Sequence, residues 1–248
     1  MAGGPPEHAE VTGGPHLVVG VVSALGHVVW RFPCRSLTVG GGRSRLLSVL
    51  EAPIKDRAAE RRASTRQEIL DAAWDLAREV GLTEVTLRAL AHRVGMRAPS
   101  LYSYFASKNA VYDAMYAQAW GACLEAMAAP AGSRPRSRGA ALRRHARTFF
   151  DFAVADLARY QLMNQRTIVG FTPTPEAYAP SVATLELTRA LLARYGVTRQ
   201  EDLDLYVALV AGLVDAQLAN DPGGSRWRRL LDRAVDMFDR DVGQAPPT

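Results

Sequence analysis

The sequence predicts an all-α protein in two parts: a small N-terminal bundle and a larger helical C-terminal domain. Three observations carry that expectation. From Ser64 onward, apolar residues recur at helical spacing instead of alternating. Ser, Thr, Gly and Pro stand where such stretches would start and stop. After residue 50 no strand-rich block and no internal repeat is visible.

The composition bounds the possibilities. The chain has 248 residues, 48% hydrophobic and 22% charged, enough to bury a core. A net charge of +5 and a pI of about 9.5 mildly favour polyanionic partners. Lys55 and Lys108 are the only lysines; the remaining positive charge is arginine. Cys34 and Cys123 lie far apart without a CxxC, which argues against a disulfide framework or a thiolate metal site and suits a reduced cytosol. The longest apolar run, Leu17 to Trp30, is too short to span a bilayer, and no basic segment precedes it. A soluble cytoplasmic protein without a membrane partner is expected.

Taken in order, residues 1–50 are rich in Gly and Pro around a Val-rich piece that could make a strand or two. They read as a disordered extension outside the helical protein, such as an early start codon would add; a small appended element is the alternative. Residues 51–110 hold the N-terminal bundle. Ser64 to Gly81 places Ile69, Ala73, Leu76, Ala77 and Val80 on one helical face, with Ser64–Gln67 or Thr65–Glu68 as a capping box. Thr86 caps a second helix that ends at Gly95, and Pro99 suits the first turn of a third. Ser107 caps a fourth, Lys108 to about Ala128. Residues 111–242 form the C-terminal domain, with helices at about 138–156, 156–165, 175–195, 200–219 and 225–240. Residues 243–248 read as a disordered tail.

Two stubby helices around one glycine, floored by a longer first helix, spell a helix-turn-helix. Leu101 and Phe105 face inward at i and i+4. The other side of the third helix carries Arg97, Ser100, Tyr102, Tyr104 and, just past its end, Lys108. Guanidinium, hydroxyl and phenol groups on an exposed helix suit the major groove and its phosphates. Thr86 and Arg88 begin the second helix, where free N–H groups and the dipole favour a phosphate. Upstream, Lys55, Arg57, Arg61, Arg62 and Arg66 read as a flexible arm for the DNA backbone or minor groove. Singly, each residue has a plainer reading as a cap, a bundle cover or a solvated tail; the joint pattern favours DNA.

Residues 64–112 resemble the DNA-binding domain of the TetR family of bacterial regulators. The most specific stretch is Pro-Ser-Leu-Tyr-Ser-Tyr-Phe-Ala-Ser-Lys at 99–108, similar to the family's Leu-Tyr-x-His/Tyr-Phe-x-x-Lys signature. The resemblance implies base contacts from Arg97, Ala98, Pro99, Ser100, Tyr102 and Tyr104, and phosphate contacts from Thr86, Arg88, Tyr102 and Lys108. Ala98 departs from the longer polar side chain of some members, so fewer direct base hydrogen bonds are available. The resemblance also implies an all-helical homodimer with a divergent ligand domain.

The C-terminal half supports such a domain on its own terms. Leu203 to Leu218 is apolar almost all round and must be covered on every side. A dimer interface through Leu205, Leu209, Gly212 and Leu213, with Leu230, Leu231, Ala234 and Phe238 of the last helix, is expected; a plain core helix is the alternative. Trp120, Phe149, Phe152, Tyr160, Met163, Asn164, Phe171 and Tyr178 are candidates for a small-molecule pocket, and for ordinary core. Asp215 and Gln217 interrupt the apolar helix and need partners.

The expected protein is a repressor holding a palindromic double-stranded operator as a homodimer, released by a small-molecule effector of unknown identity. No HExxH, GxSxG, P-loop or glycine-rich nucleotide fingerprint is present, and His92 and His145 have no obvious nucleophile beside them. No catalytic activity, cofactor or metal is expected. A C-terminal domain that binds a protein partner or serves only dimerisation, and activation instead of repression, are the rival readings.

Overall fold

The structure is a computed structural model. It describes residues 56–129, 132 and 135–242, together with two short strands, β1 (Val21–Val22) and β2 (Val28–Val29). The strands pair antiparallel, Val21 opposite Val29 and Val22 opposite Val28, within the Val-rich piece where strands were expected. The expected disorder of the rest of residues 1–50, Lys55 in the arm, and the tail 243–248 lie outside the described residues.

From residue 56 the described chain is helical. The order is α1 (Arg57–Val80), a 3₁₀ turn (Leu82–Glu84), α2 (Leu87–Arg93), α3 (Ala98–Leu101), α4 (Lys108–Ala128), α5 (Arg138–Val154), α6 (Leu157–Asn164), α7 (Pro175–Ala193), α8 (Gln200–Asn220), a second 3₁₀ turn (Arg228–Leu230) and α9 (Leu231–Val242). Short polar side chains start most of these helices. Thr86, Ser107, Ser137, Asp156 and Thr174 each accept an amide N–H of their own first turn.

Two boundaries differ from expectation. The first helix begins at Arg57, capped by Asp56, whose Oδ1 accepts from Ala58 and Ala59 N–H. Ser64 therefore sits inside the helix, its hydroxyl 3.5 Å from Glu68 Oε1. Capping-box residue types are also tolerated mid-helix when a better acceptor, here an aspartate, stands upstream. The third helix is only four residues long; Tyr102 to Tyr104 form a turn instead.

The buried side chains form two clusters. The first joins Ile69, Leu90, Leu101, Phe105, Val111, Met115, Ala119 and Cys123 with Leu162, Met163 and Ala177. α4 thus crosses the expected boundary at residue 110 with one continuous buried face. The second cluster joins Leu142 and Phe150 of α5, Tyr206 and Val210 of α8, and Leu231, Val235 and Phe238 of α9, with Tyr160 and Leu192. Each large side chain removed from water in this way contributes roughly 1.5–3 kcal/mol.

α5 and α9 are further joined by a ladder of opposite charges. Arg138 pairs with Asp239, Arg143 with Asp236 and Arg147 with Asp232, and Arg228, just before α9, reaches Asp151 at 2.6 Å. The two polar interruptions of α8 also find partners. Asp215 accepts from Tyr160 Oη (2.9 Å) and Gln165 Nε2 (3.3 Å). Gln217 donates to the Asp221 carbonyl, while its Oε1 accepts from Trp227 N–H (3.0 Å) and Arg228 N–H (3.3 Å). It holds the Asn220–Gly224 turn between α8 and α9.

Candidate nucleic-acid interface

The site starts from a local sequence effect. After α2 the chain must reverse within four residues, and Gly95 does this at φ +67°, a conformation costly for any residue with a Cβ. Met96 N–H closes the turn onto the Ala91 carbonyl at 2.8 Å. α3 then starts at Ala98, with Pro99 in its first turn. Leu101 and Phe105 are fully buried in the first cluster. Their burial turns the opposite side of α3 outward.

That outward side holds most of the residues expected to meet DNA. Arg88, Arg97, Pro99, Ser100 and Tyr102 are exposed, Tyr102 at 55%. Ala98, Tyr104 and Lys108 are half-buried. Thr86 is exposed, but its hydroxyl is the N-cap of α2, accepting from Ala89 N–H at 3.1 Å. Lys108 Nζ donates to the Thr83 carbonyl at 2.8 Å, and next to it Tyr112 Oη donates to the Leu82 carbonyl. Burial pushes the Tyr112 phenol up to about 12, so it remains a donor at neutral pH. Lys108 is thereby tied to the entry of α2.

The arm expectation is corrected. Arg57, Arg61, Arg62 and Arg66 lie in α1, not in a flexible segment. Arg57 and Arg61 are exposed. Arg62 and Arg66, four residues apart and so on one face, reach the end of the α3 turn. Arg62 Nη2 donates to the Ser103 carbonyl and Arg66 Nη1 to the Tyr104 carbonyl, the latter at 2.6 Å. The i, i+4 spacing was visible in the sequence; the carbonyls about forty residues away were not.

The expected pocket residues are packed among the helices. Tyr160 and Met163 are buried core. Trp120, Phe149, Phe152, Phe171 and Tyr178 are half-buried against the first cluster, with Tyr116 stacked on Tyr178 at 6.2 Å between ring centroids. Asn164 Nδ2 donates to the Tyr160 carbonyl at 3.3 Å. A cleft of about 720 Å³ lies elsewhere, between the C-terminal end of α4, α5 and α7; Met127, His145, Thr148, Leu187, Leu191 and Arg194 are among its walls, and none of the eight expected residues is.

The expected interface residues divide. Leu205, Gly212 and Leu230 are exposed, and Leu209, Leu213 and Ala234 are half-buried. Leu231 and Phe238 are corrected: both are buried in the chain's own second cluster, because the inward face of α9 packs on α5 and α8. Met237 on the outward face of α9, exposed at 57%, was not anticipated.

Comparison with known proteins adds to this geometry. Residues 69–115 match the family model described as bacterial regulatory proteins, tetR family. The chain is 45% identical to the tetracycline repressor protein class A of Escherichia coli over 47 residues, 19% of this chain and 22% of that protein. The match thus spans about a fifth of the curated relative. A TetR-like transcriptional regulator from Rhodococcus sp. RHA1 superposes with a TM-score of 0.51 at 26% identity, covering 73% of this chain and 98% of that one. The regulator FadR from Bacillus subtilis, in complex with stearoyl-CoA, superposes at 0.56 with 14% identity, over 69% and 96%; that likeness is one of fold.

Proposed function

We propose that this chain, whose residues 69–115 match the model of the tetR family of bacterial regulatory proteins, is a homodimeric repressor that binds a palindromic operator and is released by a small molecule. The observation that carries the DNA reading is the division of one short segment. Leu101 and Phe105 are buried while Arg97, Ser100 and Tyr102 between and before them face solvent. A four-residue helix held from behind can enter a major groove with its N-terminal side chains on base edges. Arg88 and the first N–H groups of α2 suit a phosphate. Arg57 and Arg61 suit the flanking backbone.

The outward faces of α8 and α9 support dimerisation. Leu205, Ala208 and Gly212 on α8, with Leu230 and Met237 on or beside α9, are exposed and apolar or small. An isologous pairing of these faces would give a four-helix bundle and set two reading helices about one DNA turn, or ~34 Å, apart.

Release requires that the effector bind two arrangements unequally. α4 supplies the route. Its first turns hold the entry of α2 through Lys108 and Tyr112, and its far end walls the 720 Å³ cleft. A cleft of that size takes a drug-sized molecule. The tetracycline repressor is named for a small molecule, and the FadR structure is a complex with stearoyl-CoA; both support a small molecule as the effector.

The test is a footprint on DNA upstream of the protein's own coding region, with salt titration. A protected palindrome, two chains per site and steep salt dependence are the expected results. Absence of salt-sensitive affinity for any genomic fragment overturns the DNA reading. Addition of small metabolites to the same assay tests release.

A further inference from the structure

A reading helix of four residues cannot hold its own direction. It has one turn, and nucleation of so short a helix is unfavourable in isolation. Its C-terminal end must also satisfy carbonyls that no later helical N–H reaches. Inside the turn, the Leu101 carbonyl accepts from Tyr104 and Phe105 N–H, and the Ser100 carbonyl from Ser103 N–H and Oγ. Beyond Tyr102, the carbonyls of Ser103 and Tyr104 take guanidinium donors from α1: Arg62 and Arg66.

Each arginine does a second thing. The Arg62 guanidinium lies 5.1 Å from the centre of the Tyr104 ring, and that of Arg66 lies 3.9 Å from the centre of the Phe105 ring. A planar guanidinium can donate in its plane and cover a ring with its face. A lysine ammonium cannot do both in the same geometry. The two contacts fix the turn along two directions: the carbonyl sets its height on α1 and the ring sets its rotation. The cations also offset the partial negative charge where the reading segment ends, which would otherwise oppose a nearby phosphate.

We propose that Arg62 and Arg66 are positioning residues of the DNA-reading unit, which act on sequence preference through α3 and not by touching phosphate. This rests on the DNA-binding reading above. The reading side chains Arg97, Ser100 and Tyr102 move with the turn that these arginines hold. Removing the hold leaves the positive surface in place but lets base-edge contacts fall out of register.

The test uses the full chain and two probes: the tightest duplex that the unaltered protein selects in vitro from a random pool, and a shuffled duplex of equal length. Arg62→Lys, Arg66→Lys and Arg66→Ala are compared by affinity, salt slope and thermal melting. The expected result for all three is a loss of at least about tenfold on the selected duplex. Affinity and salt slope on the shuffled duplex stay within about twofold of the unaltered protein. Where the alanine variant unfolds, the folded lysine variants carry the test. Equal weakening on both duplexes, a salt slope reduced by about one in Arg66→Ala and recovery by lysine would assign the arginines to phosphate and overturn the proposal. Unchanged affinity for the selected duplex overturns it too. If the unaltered protein selects no duplex, the DNA reading itself fails, an outcome seen before any variant is made.

Discussion

Lys108 donates from Nζ to the carbonyl oxygen of Thr83 at 2.8 Å. Lys108 opens α4, and Thr83 lies in the 3₁₀ turn that leads to α2. One turn further along α4, Asp113 accepts from the N–H and the hydroxyl of Thr174, at 2.7 and 2.8 Å. Thr174 is the N-cap of α7. Less than two turns of α4 therefore grip the approach to the helix-turn-helix pair on one side and the start of α7 on the other.

This arrangement separates two cations that look alike in the sequence. Lys108→Met is expected to cost about 1–2 kcal/mol of stability, because the Thr83 carbonyl loses a charged donor. Arg88→Ala, at an exposed position, should change stability by less than about 0.5 kcal/mol but lower the salt slope of duplex binding by about one. Thermal melts beside a salt series of binding curves check both. Identical behaviour of the two variants would return Lys108 to a simple phosphate contact.

His145 predicts a pH dependence in the acid range. Its Nδ1 and Nε2 lie 3.2 Å from Tyr206 Oη and Thr188 Oγ1. Tyr206 Oη donates to the Leu142 carbonyl, so Nδ1–H serves as donor to the phenol oxygen, and the one Thr188 hydroxyl hydrogen is shared between Nε2 and the Thr184 carbonyl, each at 3.2 Å. Burial lowers the imidazole to about 4, below its ordinary 6.5. The unfolded chain therefore binds the proton first. Stability is full above pH ~6.5 and falls by about 2–3 kcal/mol as pH drops toward 4. His145→Gln should flatten that interval in melts taken across pH; a slope that persists in the variant belongs to another group.

The α5–α9 ladder gives a lower, separate window. The hydrogen bond from Arg147 holds the Asp232 carboxyl below the usual aspartate range. Its stabilisation is present above the unfolded value and is lost as pH falls through the lower folded one, so below pH ~4. The pair is partly exposed, so its worth is no more than about 1 kcal/mol, and less in high salt. Asp232→Asn should remove this step and leave the His145 step; denaturant midpoints at pH 3, 5 and 7, read in low and high salt, resolve the two.

The outward α8–α9 face predicts association. Leu205→Glu or Met237→Glu should yield folded monomers, because a carboxylate at the centre of an apolar helix pairing is left without a partner. Light scattering after gel filtration reads the mass, and circular dichroism confirms the fold. Weaker operator binding should accompany the mass change, since one reading helix makes few contacts. A dimer that survives both substitutions would move the interface elsewhere.

Much of the architecture was legible from local rules. The 3.6-residue recurrence of apolar side chains located α4, α5, α6, α7 and α8 to within a few residues, and Thr86 and Ser107 marked two starts. Leu101 and Phe105 face inward as their spacing requires. α1 was misread at its start, since its first turns are arginine-rich and lack an apolar stripe. The pocket was less legible than the helices. Aromatic residues at helical spacing look the same whether they line a cavity or fill one; here Tyr116 stacks on Tyr178 and meets Phe171 edge-on.

By itself the sequence determined which segments are helices, where Gly95 breaks the pair and which side of the reading segment is apolar. These depend on backbone preference and on neighbours three or four residues away. Only the tertiary structure decided where Arg62, Arg66, Lys108, Asp215 and Gln217 find their partners, and that Leu231 and Phe238 turn inward while Leu205 and Met237 turn out. A helix apolar on most sides has no inward face of its own. The direction is set by the helices that reach it first, and a buried polar group is satisfied by whatever donor that packing brings within hydrogen-bond distance.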